Sequence, residues 1–211
     1  MYAHVVSLGV TGLDGYPVTV ETHISGGLPK FAMVGLPDSA VKESSERVRS
    51  AIKNLHYEWP ASRITINLAP ADVRKTGPVY DLPVFVGIMA AQGKLPAPGS
   101  ERAFLGELGL DGTLRPVTGV LPMALAAVQN GVKELFLPAE NAAEAAVAAG
   151  QTEQAARMYL ALSREAQGLN SEYFRARAYA LAPKIVDEEA AQAATPAAPD
   201  GAGAKAPGKA Q

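Results

Sequence analysis

The chain has 211 residues, a formal charge of −2 and 48% hydrophobic content, enough for one sizeable core with an appendage. It has no cysteine, so disulfides, thiolate metal sites and thiol catalysis are excluded together. The near-neutral charge gives no global attraction to nucleic acid and leaves only local basic patches to consider.

The opening MYAHVVSLGVTG carries no basic leader, and no apolar run reaches membrane-spanning length, so a cytoplasmic protein without a membrane partner is expected. Residues 3–10 read as a strand and 16–25 as a second, with Val18, Val20 and Ile24 on one face. Asp14 and Gly15 are the residues expected to make the left-handed turn between them. Gly26 and Gly27 form the next turn, and residues 31–34 a third strand. After Pro37 a helix is predicted to about Asn54, capped by Asp38 or Ser39, with Val41, Val48, Ile52 and Leu55 facing inward. Lys42, Arg49 and Lys53 fall in a line on another face, a spacing suited to tracking phosphates. Glu46 lies within pairing reach of Lys42 and Arg49, which favours a solvated, internally paired face.

The stretch 62–91, SRITINLAPADVRKTGPVYDLPVFVGIMAA, joins three signals without a gap. Ile64, Ile66 and Leu68 alternate with Thr65 and Asn67, the pattern of a half-buried strand. Pro70 ends it, and a polar loop over 71–81 carries Arg74, Lys75, Gly77 and Pro78. Asp81 is expected to cap the next helix, whose nearly all-apolar body from Val84 to Ala91 marks it as buried. A strand, a loop and a helix opening on an acid are also the layout of a phosphate cradle or a nucleophile elbow. Gly77 stands alone where a cradle needs several glycines, and Val79 and Tyr80 stand where an elbow needs Ser or Cys. A packed crossover is the better reading.

A second hairpin is predicted from residues 104–110 and 113–117, turning at Asp111 and Gly112. A helix over 119–129 ends on Asn130 and Gly131, both suited to a left-handed cap, and a strand over 132–137 ends at Pro138. This order of hairpins and crossovers implies a mixed α+β fold of the α/β class and disfavours a purely parallel dinucleotide fold. Beyond Asn141 alanine dominates. Residues 151–166, with Ala155, Met158, Tyr159 and Leu162 at helical spacing, read as a docked helix, and 173–182 as another that stops at Pro183. From Asp187 the Ala/Pro/Gly composition predicts disorder. Three regions follow: a domain over 1–147, a helical extension over 148–186 and a tail over 187–211. The near match to a nucleotide-binding loop at 203–210, GAKAPGKA, has no strand before it and Ala210 where a hydroxyl would hold magnesium, so it carries no weight. His4, His23 and His56 are scattered and give no metal-ligand spacing.

The phrases GLDGYPVTVETHISGGLPKFAMVGLPDSAVKESSERVRSAIKN, ITINLAPADVRKTGPVYDLPVFVGIMAA and FLGELGLDGTLRPVTGVLPMALAA resemble the N-terminal domain of the magnesium-chelatase-like family that includes ComM and YifB, from residue 1 to about 147. The resemblance implies a fold like the proteolytic domain of Lon, also seen in ribosomal proteins and small-molecule kinases. Lon-type proteases use a serine and a lysine as nucleophile and base. By motif similarity Val79 falls at the serine and Leu121 at the lysine, so peptidase chemistry by that route is not expected and no catalytic residue is assigned. In the family this domain precedes an AAA+ ATPase module, in ring-forming motors that act on DNA during natural transformation and recombination. A Walker lysine in strand-to-helix context occurs nowhere in these residues, so a truncated or split gene is one expectation and ATP and magnesium are expected only with the missing module. The implied role is a non-catalytic accessory or assembly domain, with a homo-oligomer or an AAA+ module as partner and weak DNA contact through Arg74 and Lys75 or through Lys42, Arg49 and Lys53. The alternative is a residual Lon-fold hydrolase or a kinase-like enzyme.

Overall fold

The computed structural model describes residues 1–148, 151–165 and 169–194. A six-stranded mixed sheet forms the centre, in the order β3-β4-β2-β1-β5-β8. Its strands are β1 (Tyr2–Thr11), β2 (Asp14–Ser25), β3 (Lys30–Val34), β4 (Arg63–Ala69), β5 (Arg102–Phe104) and β8 (Glu134–Phe136). β1 runs antiparallel to β2 and β2 to β4, whereas β3 pairs parallel with β4, and β5 parallel with both β1 and β8. The period-two reading holds: Val18, Val20, Ile24, Ile64, Ile66 and Leu68 are all buried. The first hairpin turns earlier than expected. β2 already begins at Asp14, and Gly12, at φ +63°, takes the left-handed position instead. Asp14 and Gly15 are paired with Thr11 and Val10, which extends the ladder by two residues.

Helix α1 (Ser39–Asn54) is capped by Asp38, whose Oδ1 accepts from Val41 N at 2.8 Å. Val41, Val48, Ala51 and Ile52 face the core, but Leu55, expected among them, is the C-cap residue and is 41% exposed. Helix α2 (Asp81–Ala91) lies across β1 and β2 and is buried on nearly every side, because Gly87 allows its backbone to approach Thr22 and Val5. A side chain at Gly87 would collide with Thr22 Oγ1. A short strand pair, β6 (Glu107–Leu108) with β7 (Leu114–Arg115), is all that forms of the second hairpin, since Phe104, expected to begin it, ends β5 in the main sheet instead. Helix α3 (Val120–Gln129) packs Met123, Ala126 and Ala127 inward, and Gly131 beyond it is left-handed, at φ +77°, while Asn130 at φ −98° is not.

Helices α4 (Ala139–Ala148), α5 (Thr152–Glu165), α6 (Leu169–Leu181) and α7 (Pro183–Ala194) share a second core of Ala143, Ala156, Tyr159, Leu160, Ala178, Ile185 and Val186. Helix α4 also holds the first unit, because buried Asn141 accepts from Val117 N at 2.8 Å and donates to Val117 O at 2.9 Å. Pro183 does end α6, yet it also opens α7, where its missing N–H has no partner to lose. The tail expected from Asp187 is therefore helical to Ala194. Residues 195–211, including the segment 203–210, lie outside the described residues. No helix among the described residues is long and apolar enough to cross a membrane.

Candidate functional site

The loop between β4 and α2 is tied down along its length. Asp38 N donates to Lys75 O at 3.0 Å and Lys75 N to Leu36 O at 3.1 Å, so the loop runs as a short parallel bridge against the turn before α1. Gly77 N reaches Asp38 Oδ2 at 3.3 Å, and Tyr16 Oη donates to Arg74 O at 3.2 Å. Asp38 thus caps α1 with one oxygen and holds the loop with the other. The expectation that Lys75 is an exposed contact is overturned. Its side chain is fully buried, and Nζ donates to Pro70 O and to Val73 O, folding the loop around itself. Burial lowers its pKa below the usual amine value, with Asp72 opposing. Arg74 alone of the pair reaches solvent, and Asp72 two residues before it is exposed as well.

Asp81 does not cap α2. The N-cap position belongs to Tyr80, without a side-chain cap, because the 3-10 turn Pro78–Tyr80 runs directly into the helix. The buried Asp81 carboxylate instead receives Arg47 bidentately, Nε to Oδ2 at 2.6 Å and Nη2 to Oδ1 at 3.0 Å. Leu108 N donates to Oδ2 at 3.2 Å, and Arg47 Nη2 also donates to Ala40 O at 2.9 Å. One ion pair therefore clamps α1, α2 and β6 together, and the hydrogen bond to Asp81 raises the Arg47 pKa further above its ordinary value. Sequence reading missed Arg47 because its partner lies 34 residues away.

Next to this clamp the Tyr80 phenol is buried, and desolvation, with Tyr16 and then Asp38, pushes its pKa far above the ordinary value. The native state keeps a proton that the unfolded chain releases above about pH 10, so this stabilisation is present below that pH and lost above it. Urea midpoints at about pH 8 and about pH 11 should fall further in the parent than in Tyr80→Phe. Equal losses in the two proteins would show that other groups carry the alkaline limb.

The basic line on α1 is exposed as expected at Lys42, Arg49 and Lys53. Glu46 makes no ion pair with Lys42 or Arg49 within 4.0 Å; the pair formed on this helix is Arg47 with Glu43, at 3.7 Å. The guanidinium of Arg49 lies 5.9 Å from the centre of the Trp59 ring instead. Arg49 and Lys53 border a groove of about 790 Å³, closed by Lys30 and Phe31 of β3 and by Tyr57 and Trp59 of the segment after α1. Lys42 lies outside it. The aromatic wall escaped sequence analysis, although a lone Trp with Tyr57 two residues before it, just past a helix end, was a visible signal.

The two positions matched to Lon's catalytic residues are not polar. Val79 sits in the 3-10 turn, 6% exposed, and Leu121 in the first turn of α3, 52% exposed. A family model described as subunit ChlI of Mg-chelatase matches residues 20–141. The chain belongs to the ChlI family. Within it, the chain is 46% identical over 150 residues to the competence protein ComM of Haemophilus influenzae, covering 71% of this chain and 29% of ComM. It is 50% identical over 134 residues to YifB of Salmonella typhimurium, covering 63% and 26%. A Lon protease of Paraburkholderia phytofirmans is 30% identical over 146 residues, covering 63% and 18%, which agrees with the Lon-like mixed α/β fold. The chain is thus a ComM/YifB-like, magnesium-chelatase-like protein, and it spans less than a third of the length of these relatives.

Proposed function

We propose that this ChlI-family chain acts as a non-catalytic accessory or assembly domain, in the setting of DNA processing that the name of its competence relative suggests. The observation supporting this reading is the pair Val79 and Leu121. Lon-type hydrolysis needs a hydroxyl activated by an amine, and both positions are aliphatic in an otherwise retained framework. The lysine closest in sequence to Val79, Lys75, has its ammonium committed to two carbonyls and is closed to substrate. In this reading ATP and magnesium belong to an AAA+ module, and these residues contribute assembly, as a homo-oligomer or against such a module, together with weak contacts to DNA.

Purified protein should turn over neither unfolded protein substrate nor ATP. Cleavage that disappears when Ser39, Ser44 and Ser45 are changed together to alanine would identify a serine nucleophile and sink the accessory reading. Magnesium-dependent ATP turnover would sink it equally.

A further inference from the structure

We propose that the groove between β3 and the C-terminal half of α1 binds single-stranded nucleic acid, a base stacking on Tyr57 beside the Arg49–Trp59 pair while Lys30, Arg49 and Lys53 meet the phosphates. The proposal rests on the accessory reading for its DNA setting, and on the groove itself for its chemistry.

The aromatic wall is held rigidly. Helix α1 ends with His56 in the left-handed region, at φ +63°, and Tyr57 N donates back to Ile52 O at 3.0 Å, which turns the chain sharply and projects the next residues across the end of the helix. Gln92 Nε2, just past α2, donates to Glu58 O at 3.2 Å and pins the segment from the other side. Phe31 lies 6.0 Å from Trp59, ring centre to ring centre, at 32°. Tyr57 is 45% exposed and Trp59 partly so. The backbone tied in this way presents the exposed Tyr57 ring to the groove, beside a Trp59 ring that already carries Arg49 over it and Phe31 against it, so little chain freedom is lost when a base stacks there.

Charge decides which ligand fits. Lys30, Arg49 and Lys53 line the groove with Glu46 and Glu58, a local balance of +1 in a chain of −2. That sign favours a polyanion, but two carboxylates among three cations make phosphate attraction alone weak. Binding then depends on the rings, and rings take bases only from strands whose faces are free. A duplex keeps its bases stacked on each other and offers this groove phosphates alone. The same reasoning disfavours simple polyphosphate.

Trp59 is the chain's single tryptophan, so its emission reports on the groove directly. The 211-residue chain titrated with oligo-dT of about 12 nucleotides at low salt should show quenched emission and a rise in anisotropy of the labelled oligonucleotide. The logarithm of affinity should fall with the logarithm of salt with a slope near −2, as about three phosphate contacts on a single strand require. Tyr57→Ala should weaken binding by about 5- to 150-fold, the range for one lost stack. Arg49→Ala with Lys53→Ala should flatten the salt slope to about −1 or less. Lys133→Ala, beside β8 at the opposite edge of the sheet, should change neither. Absence of quenching and of anisotropy change would overturn the proposal. Equal competition by a duplex of the same length or by inorganic polyphosphate would overturn it too, as would unchanged affinity in a Tyr57→Ala variant that melts like the parent. Those failures leave the accessory reading standing, whereas catalytic turnover would remove that reading without touching the groove.

Discussion

Asp81→Ala should lower the unfolding free energy by about 3 to 5 kcal/mol, the cost of leaving a largely buried charge without its partner. Arg47 would lose both of its hydrogen bonds to the carboxylate, and Leu108 N its acceptor. A helix cap would behave differently. Its loss costs about 0.5 to 2 kcal/mol, and asparagine substitutes well for aspartate in that role. Asp81→Asn is therefore the decisive variant: it keeps an acceptor for Leu108 but removes the charge facing Arg47, and it should remain strongly destabilised. Adding Arg47→Ala to Asp81→Ala should cost little more, because the pair acts as a unit. Denaturant melts of the four proteins check this. A small loss in Asp81→Ala, rescued by asparagine, would restore the capping role.

Lys75→Ala should cost about 2 to 5 kcal/mol, through the volume of a buried stem and through two carbonyls left without a donor. Arg74→Ala, one residue away and exposed, should stay within about 0.5 kcal/mol of the parent. Lys75→Met separates the two contributions. It retains the stem, and its remaining loss of about 1 to 3 kcal/mol measures the hydrogen bonds to Pro70 and Val73. The lowered pKa adds a pH signature. Just below the free amine value of about 10.4 the unfolded chain binds a proton that native Lys75 has released. Stability contributed this way is present above that value and is lost as pH falls through the window, so parent stability should rise with pH there and Lys75→Met should not follow it. If Lys75→Ala instead melts like the parent while oligonucleotide affinity drops, Lys75 is a surface contact in solution.

Periodicity alone determined much of this protein. The alternation in β2 and β4, the inward face of α1 from Val41 to Ile52 and the apolar run of α2 could be read as strands and helices because each depends on neighbours within one turn or one pleat. The Asp38 cap was legible for the same reason: its partner, Val41 N, is three residues away. The Ser/Lys dyad positions were legible through family resemblance, as Val79 and Leu121. Asp81 and Lys75 were not legible. Each stands at a place in the sequence where a local rule offers a sufficient account, a helix start for one and a polar loop for the other, and in each case the fold overrode it. Asp81 was taken from the cap by Arg47 because α1 crosses the start of α2. Lys75 was turned inward because the loop closes on its own carbonyls and bridges to Leu36 and Asp38. The groove follows the same logic. Lys30, Arg49 and Trp59 are spread over thirty residues, and only the parallel pairing of β3 with β4 and the turn at His56 bring them to one wall. Short-range rules specify which elements form, but which polar side chains meet depends on how those elements pack, and that information is carried by contacts far apart in the chain.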